Sequence, residues 1–185
     1  MPRATKEQSE ATAARVLETA RALFLDRGYA EVGLEEVAAA AGVTRGAVYH
    51  HFRNKKALFE AVLAQVQAGV ALAIEEAAVG EPWEQLERGC RAFLAVSVAP
   101  EVRRILLVDA PAVLGWATWR EHDAAGTRLL GEGVAAVGQG PAVAALLNGA
   151  MNEAALWIAA AEDPPAALEQ AWAGLRTMLR ALQPR

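Results

Sequence analysis

The sequence has a single cysteine, Cys90, among 185 residues, so no disulfide can form within the chain. None is needed, because a chain of this length buries roughly two thirds of the surface it exposes when unfolded, and the lone thiol fits a reducing compartment. The three histidines stand at 50, 51 and 122. His50 and His51 are neighbours and would point to different faces of a helix, so no metal site is expected. His122 and Asp123 are likewise adjacent and cannot face each other as a catalytic dyad. With no phosphate-binding glycine loop either, neither an enzyme nor a cofactor is expected. The N-terminus, "MPRATKEQSEATAARV", lacks the apolar core of a secretory signal. No run of about twenty uninterrupted apolar residues suggests a membrane span. These absences predict a soluble, cytoplasmic protein.

Positive charge is also scarce, with a formal net charge of -4, which argues against a protein that coats DNA with its whole surface. The distribution is uneven, however. Residues 1–56 hold nine Lys/Arg against seven Asp/Glu, whereas the remainder holds nine against fifteen. A slightly basic head thus precedes an acidic body.

Strand-type alternation is missing, and apolar residues recur at helical spacing almost throughout. The pattern predicts an all-α fold of about nine helices. Val16, Leu17, Ala20, Leu23 and Phe24 form the face of a first helix, which Gly28 ends in a left-handed cap. A second helix holds Leu34, Val37, Ala38 and Ala41 and is stopped by Gly42. Thr44 caps a third, and Asn54 a long fourth that extends to about residue 78. Pro82 sits at a typical first helical position of a fifth helix running to about Val98. A short sixth, "EVRRILLV", is expected to stop at Pro111, followed by a glycine-loosened seventh up to "GQGP", an eighth over about 141–160 and a ninth over about 165–182. The division drawn from this is 1–56 for the head and 57–185 for the body.

Helix two, the turn "GVT" and helix three have the spacing of a helix-turn-helix, whose second helix enters the major groove with its N-terminal residues at base edges. Thr44, Arg45, Gly46 and Ala47 suit that position. Arg45 can give a bidentate contact to guanine, and Gly46 and Ala47 keep the surface low enough for close approach. Tyr49 and His50 can donate to phosphate oxygens. Lys55 and Lys56 begin helix four, where the helix dipole already favours an anion.

The segments "ARALFLDRGY", "EEVAAAAGVTRGAVYHHF" and "NKKALF" within residues 15–59 resemble the DNA-binding domain of TetR-family transcriptional regulators. The resemblance implies an all-helical homodimer that binds a palindromic operator and is released by a small ligand in its C-terminal domain. It places Thr44, Arg45, Gly46, Ala47, Tyr49, His50 and Lys55 at double-stranded DNA. Gly33 departs from the pattern, standing where the family usually has Ser or Thr to cap helix two and touch a phosphate. A helical small-molecule-binding or interaction protein without a specific DNA site is the alternative reading.

In the body, "PEVRRILLVDAPAVLGWATWREHD" more weakly resembles a C-terminal segment of one branch of the same family. By that arrangement Cys90, Phe93, Leu94, Trp116, Trp119 and Met151 line a mostly apolar effector cavity. Asn148 and Asn152, one turn apart, fit either the polar contacts of that cavity or hydrogen bonds across a dimer seam. Leu168, Trp172, Leu175, Met178 and Leu179 make an apolar stripe on the last helix, which the resemblance assigns to the dimer interface.

Overall fold

The computed structural model describes residues 6–183, with the side chain of Trp116 outside the described set. Among these residues the fold is all α, with eleven α-helices and one π-helical segment. The chain divides into two compact units between Gln65 and Val66. That division lies inside α4 (Lys55–Ala77), whereas the sequence boundary of 56/57 lies near its start.

The head comprises α1 (Lys6–Arg27), α2 (Leu34–Ala40), α3 (Arg45–Phe52) and the first turns of α4. Its core is the apolar face read from the sequence. Val16, Ala20 and Phe24 of α1 are fully buried with Val37, Val48, Leu58 and Phe59. The Phe24 and Phe59 rings meet edge to face at 5.3 Å, and Tyr29 packs on Phe59 at 5.1 Å. The helix ends follow the expected turn chemistry. Gly28 and Gly42 adopt φ of 84° and 63°, the left-handed region in which an L side chain is strained. The Asn54 side chain accepts from the amide of Ala57 at 2.8 Å to start α4.

The body comprises the rest of α4 with α5 (Pro82–Ser97), α6 (Pro100–Arg103), α7 (Ala110–Leu114), α8 (Trp116–His122), α9 (Ala124–Ala136), α10 (Pro141–Ala159) and α11 (Pro164–Arg180). Helix α5 is central and packs on α9, α10 and α11. Arg91 of α5 pairs with Glu169 of α11 at 2.9 Å and lies over the Trp172 ring.

Two helices differ from the expected pattern. Pro111 does not stop the sixth helix but lies in the first turn of α7. The chain passes into α7 through the π-helical stretch Arg104–Asp109. Proline has no amide hydrogen to continue the α ladder, and a wider π turn resets the register without ending the helix. The single seventh helix is instead α7, α8 and α9, broken at Gly115 (φ 80°) and at Asp123. Two helices also have the length and composition of a membrane span, Lys55–Ala77 with mean hydropathy 1.7 and Pro141–Ala159 with 1.3. Neither helix is an uninterrupted apolar run, because scattered polar groups break both, but their average over eighteen residues is that of a span.

Candidate DNA interface and effector cavity

In the head, Thr44 precedes α3 with extended backbone, and its hydroxyl accepts from the Ala47 amide at 3.2 Å. This cap holds the first turn of α3 in place and leaves Arg45, Gly46, Tyr49 and His50 exposed along the helix while Val48 is buried beneath. Ala47 is half-buried. A methyl group at Gly46 would meet nothing nearer than the Thr44 hydroxyl at 3.9 Å, so nothing in the chain's own packing calls for glycine there. Arg45 is not free. Its guanidinium reaches Glu35 of α2 at 2.6 Å and the Tyr49 hydroxyl at 3.4 Å, and lies 5.2 Å from the centre of the Tyr49 ring.

Lys55 stands apart from this surface group. Its ammonium donates to the carbonyl of Ala30 at 3.1 Å and sits 4.3 Å over the Tyr29 ring, because the start of α4 packs on the loop after α1. Lys56 is the exposed base of the pair. The structure also groups residues that sequence reasoning missed. A surface concavity beside α3 is lined by Lys6, Gln8, Ser9, Glu10 and Thr12 of α1 together with Thr44, Ala47, His50 and His51. Helical spacing at 8, 9 and 12 was the available signal, but only tertiary packing places that face beside α3. At Gly33 the α2 N-terminus has no side-chain cap, and a Cβ there would meet nothing within 4 Å.

The body holds a cavity of about 360 Å³ between α4, α5, α9 and α10. Of the expected lining residues, Cys90, Phe93, Met151, Asn148 and Asn152 are present. Leu94 and Trp119 are not. Leu94 is fully buried in the core, and the Trp119 indole is buried with its N–H donating to the Leu106 carbonyl at 2.9 Å. The expectation for Trp116 concerns a side chain outside the described residues. Burial pushes the Cys90 thiol up to about 12, with Glu87 adding to the effect.

Three glycines help make the space. A Cβ at Gly89 would meet Ile74 at 3.5 Å, one at Gly133 would meet Leu86 at 3.3 Å, and one at Gly126 would meet Asp123 Oδ1 at 3.0 Å. Asp123, not anticipated from sequence, is the cavity's notable polar group. Its carboxyl is raised to about 6 by burial, against the opposing hydrogen bonds from Asn148 and Thr127 and the charge of Arg120. The Asn152 amide donates to Asn148 Oδ1 at 2.9 Å, and the Asn148 amide to the Thr127 hydroxyl at 3.2 Å.

The stripe on α11 divides. Trp172, Leu175 and Leu179 are buried within their own chain at 8, 4 and 0 % exposure, whereas Met178 is 53 % exposed and Leu168 is half-buried. The three buried residues pack the body's interior and offer a partner little surface, contrary to the dimer role expected of them.

Residues 16–62 match the family described as "Bacterial regulatory proteins, tetR family", and residues 83–182 match "Tetracyclin repressor-like, C-terminal domain". The chain belongs to the TetR family. A crystal structure of a TetR-family transcriptional regulator from Pectobacterium atrosepticum is 37 % identical, with a TM-score of 0.83 over 98 % of this chain and 99 % of that one. The regulator TtgR of Pseudomonas putida is 48 % identical over 63 residues, 34 % of this chain and 30 % of its own length. The regulator AcrR of Shigella flexneri is 36 % identical over 110 residues, 58 % of this chain and 51 % of its own. The matches thus span 30 % and 51 % of the length of these two curated relatives. As a member of the TetR family the chain is a helix-turn-helix, DNA-binding transcriptional regulator and not an enzyme.

Proposed function

We propose that this TetR-family regulator acts as a homodimeric repressor, binding a palindromic operator and leaving it when a small, mostly apolar molecule fills the body cavity. The observation that carries the reading is the row of Arg45, Gly46, Tyr49 and His50 exposed on α3, low in profile at Gly46 and able to donate to bases and phosphates. A two-fold protein with two such heads reads two half-sites.

The dimer reading rests on α10. It has mean hydropathy 1.3, yet only 22 % of its most apolar window is buried. Leu146 is 75 % and Trp157 50 % exposed, and they lie at helical spacing on one face with the exposed Gly149 and half-buried Ala150, interrupted by the exposed Glu153. On α11, Gly174 and Met178 are exposed one turn apart. Apolar faces of this kind favour association, and glycines permit close helix approach. A seam of α10 and α11 from two copies buries both faces. The effector reading rests on the cavity beside α5, whose volume falls in the range typical of small-molecule sites.

Sedimentation and operator titration test the proposal together. Leu146→Glu alters a residue that is exposed in the monomer, so the fold should persist while the protein sediments as a monomer and loses operator binding. A dimeric, operator-bound Leu146→Glu protein removes the seam from α10. DNA fragments selected from random sequence by the wild-type protein should be inverted repeats; unrelated fragments would overturn operator recognition.

A further inference from the structure

We propose that the body cavity takes an organic cation, an aromatic or aliphatic amine whose ammonium group docks on Asp123 while its apolar part fills the space bordered by Phe93, Leu130 and Met151. This deepens the effector reading above and rests on it for the ligand's regulatory role, but not for its binding.

Charge asymmetry is the first support. Among the described residues the cavity is lined by the acids Glu75, Asp123 and Glu132 and by no Lys, Arg or His. Two of these acids already share a base, since Arg128 reaches Glu132 at 2.8 Å and Glu75 at 4.0 Å. Asp123 forms no ion pair within 4 Å among the described residues, and Arg120 acts on it only at longer range.

The second support is how Asp123 is held. Asn152 donates to Asn148 at 2.9 Å and Asn148 to Thr127 at 3.2 Å, a polar row that runs to the carboxylate and favours its charged form. This row gives the carboxylate polar neighbours on the protein side before a ligand arrives. An ionised carboxylate offers about four lone-pair sites, which leaves capacity for a donor on a ligand. As the residue before α9, Asp123 has no capping bond to an amide of that helix, so its remaining capacity is not taken up by the backbone there.

The third support is the access to the carboxylate. A Cβ at Gly126 would stand 3.0 Å from Asp123 Oδ1, so glycine keeps open the ground beside that oxygen. Helix α9 would be more stable with alanine at this position, and the open space is what alanine would remove. A charge-assisted hydrogen bond to a partly buried carboxylate is stronger than its neutral counterpart, and an apolar body supplies the remaining affinity by burial.

Three probes of nearly one shape separate charge from fit: 1-naphthylmethylamine as the cation, 1-naphthalenemethanol as the neutral form and 1-naphthoate as the anion. Calorimetric titration of the purified 185-residue protein at pH 7.5, without DNA, should show the amine binding about tenfold tighter than the alcohol or better, with naphthoate weakest. Asp123→Asn should abolish the preference for the amine while the alcohol still binds, which also reports an intact cavity. Gly126→Ala should weaken the amine more than the alcohol, because it crowds the carboxylate. Equal binding of amine and alcohol, a preference for naphthoate, a preference that survives Asp123→Asn, or no binding by any of the three would each overturn the proposal. If the amine binds Asp123 yet leaves operator affinity unchanged, the cation site stands and the effector reading fails instead.

Discussion

Arg45 and Glu35 join the two helices of the helix-turn-helix through an ion pair, with Nη1 2.6 Å from Oε1. The side chain best suited to a guanine edge is thus engaged by a carboxylate before any DNA is present. Both partners are largely exposed, so water and salt weaken the pair. Releasing Arg45 should therefore be easy but measurable. Glu35→Gln should tighten operator binding up to roughly fivefold at low salt, with the gain shrinking as salt rises. Arg45→Ala should weaken operator binding about tenfold or more and relax preference at one base position only. Binding selections on variant operators check both; an Arg45→Ala protein with unchanged sequence preference would place base reading elsewhere.

Gly33 is a position that can be improved. The backbone is extended there, the cap is empty and a Cβ meets nothing. Gly33→Ser should add a hydroxyl acceptor for the first turn of α2 and stabilise the head by a few tenths of a kcal/mol. If the serine also reaches a phosphate, operator affinity rises while the apo melting temperature moves only slightly. Thermal melts with and without operator DNA separate the two effects.

Asp123 should reduce stability at neutral pH. Its folded carboxyl titrates at about 6 against an ordinary value of 3.8, chiefly through burial. The folded state then binds more protons than the unfolded state between those values, and stability falls as pH rises through the window. Relative to Asp123→Asn, the wild type should be less stable at pH 7 by on the order of 3 kcal/mol, and the difference should close below pH 4. Denaturant titrations of both proteins from pH 3.5 to 7.5 measure it. A difference that is constant across that range would mean that the carboxylate is not desolvated.

Leu175 and Leu146 should respond differently to the same substitution. Leu175 is 4 % exposed and Leu146 is 75 % exposed. Leu175→Glu buries an unpaired charge in the body and should unfold it or destabilise it by several kcal/mol. Leu146→Glu should keep the melting transition of the folded body and change only association. Circular dichroism beside sedimentation distinguishes these outcomes.

Cys90 should be nearly inert. With the thiol pushed up to about 12 and buried, almost no thiolate exists at pH 8. Reaction with a disulfide reagent should be at least roughly a hundredfold slower in the native protein than in denaturant. Fast native labelling would show that the cavity wall around Cys90 opens.

The sequence by itself determined the local and periodic features. Apolar spacing placed α1 to α5 and the last two helices, because a helix that must bury one face repeats its apolar residues near 3.6. Gly28, Gly42, Thr44 and Asn54 marked helix ends, because left-handed backbone and amide capping each need particular residue types. The head was readable as a DNA-binding unit for the same reason, since its chemistry lies within one short helix and the turn before it. Long-range packing decided the rest. Trp172, Leu175 and Leu179 share a periodic face with Met178, but periodicity cannot say whether a face meets its own chain or another. Leu94 and Trp119 have the composition of a cavity wall, yet their neighbours close over them. Asp123, which cannot face its neighbour His122, gains Thr127 and Asn148 as polar neighbours only where α9 and α10 pack, and that depends on a helix break at 123 that the apolar pattern does not encode.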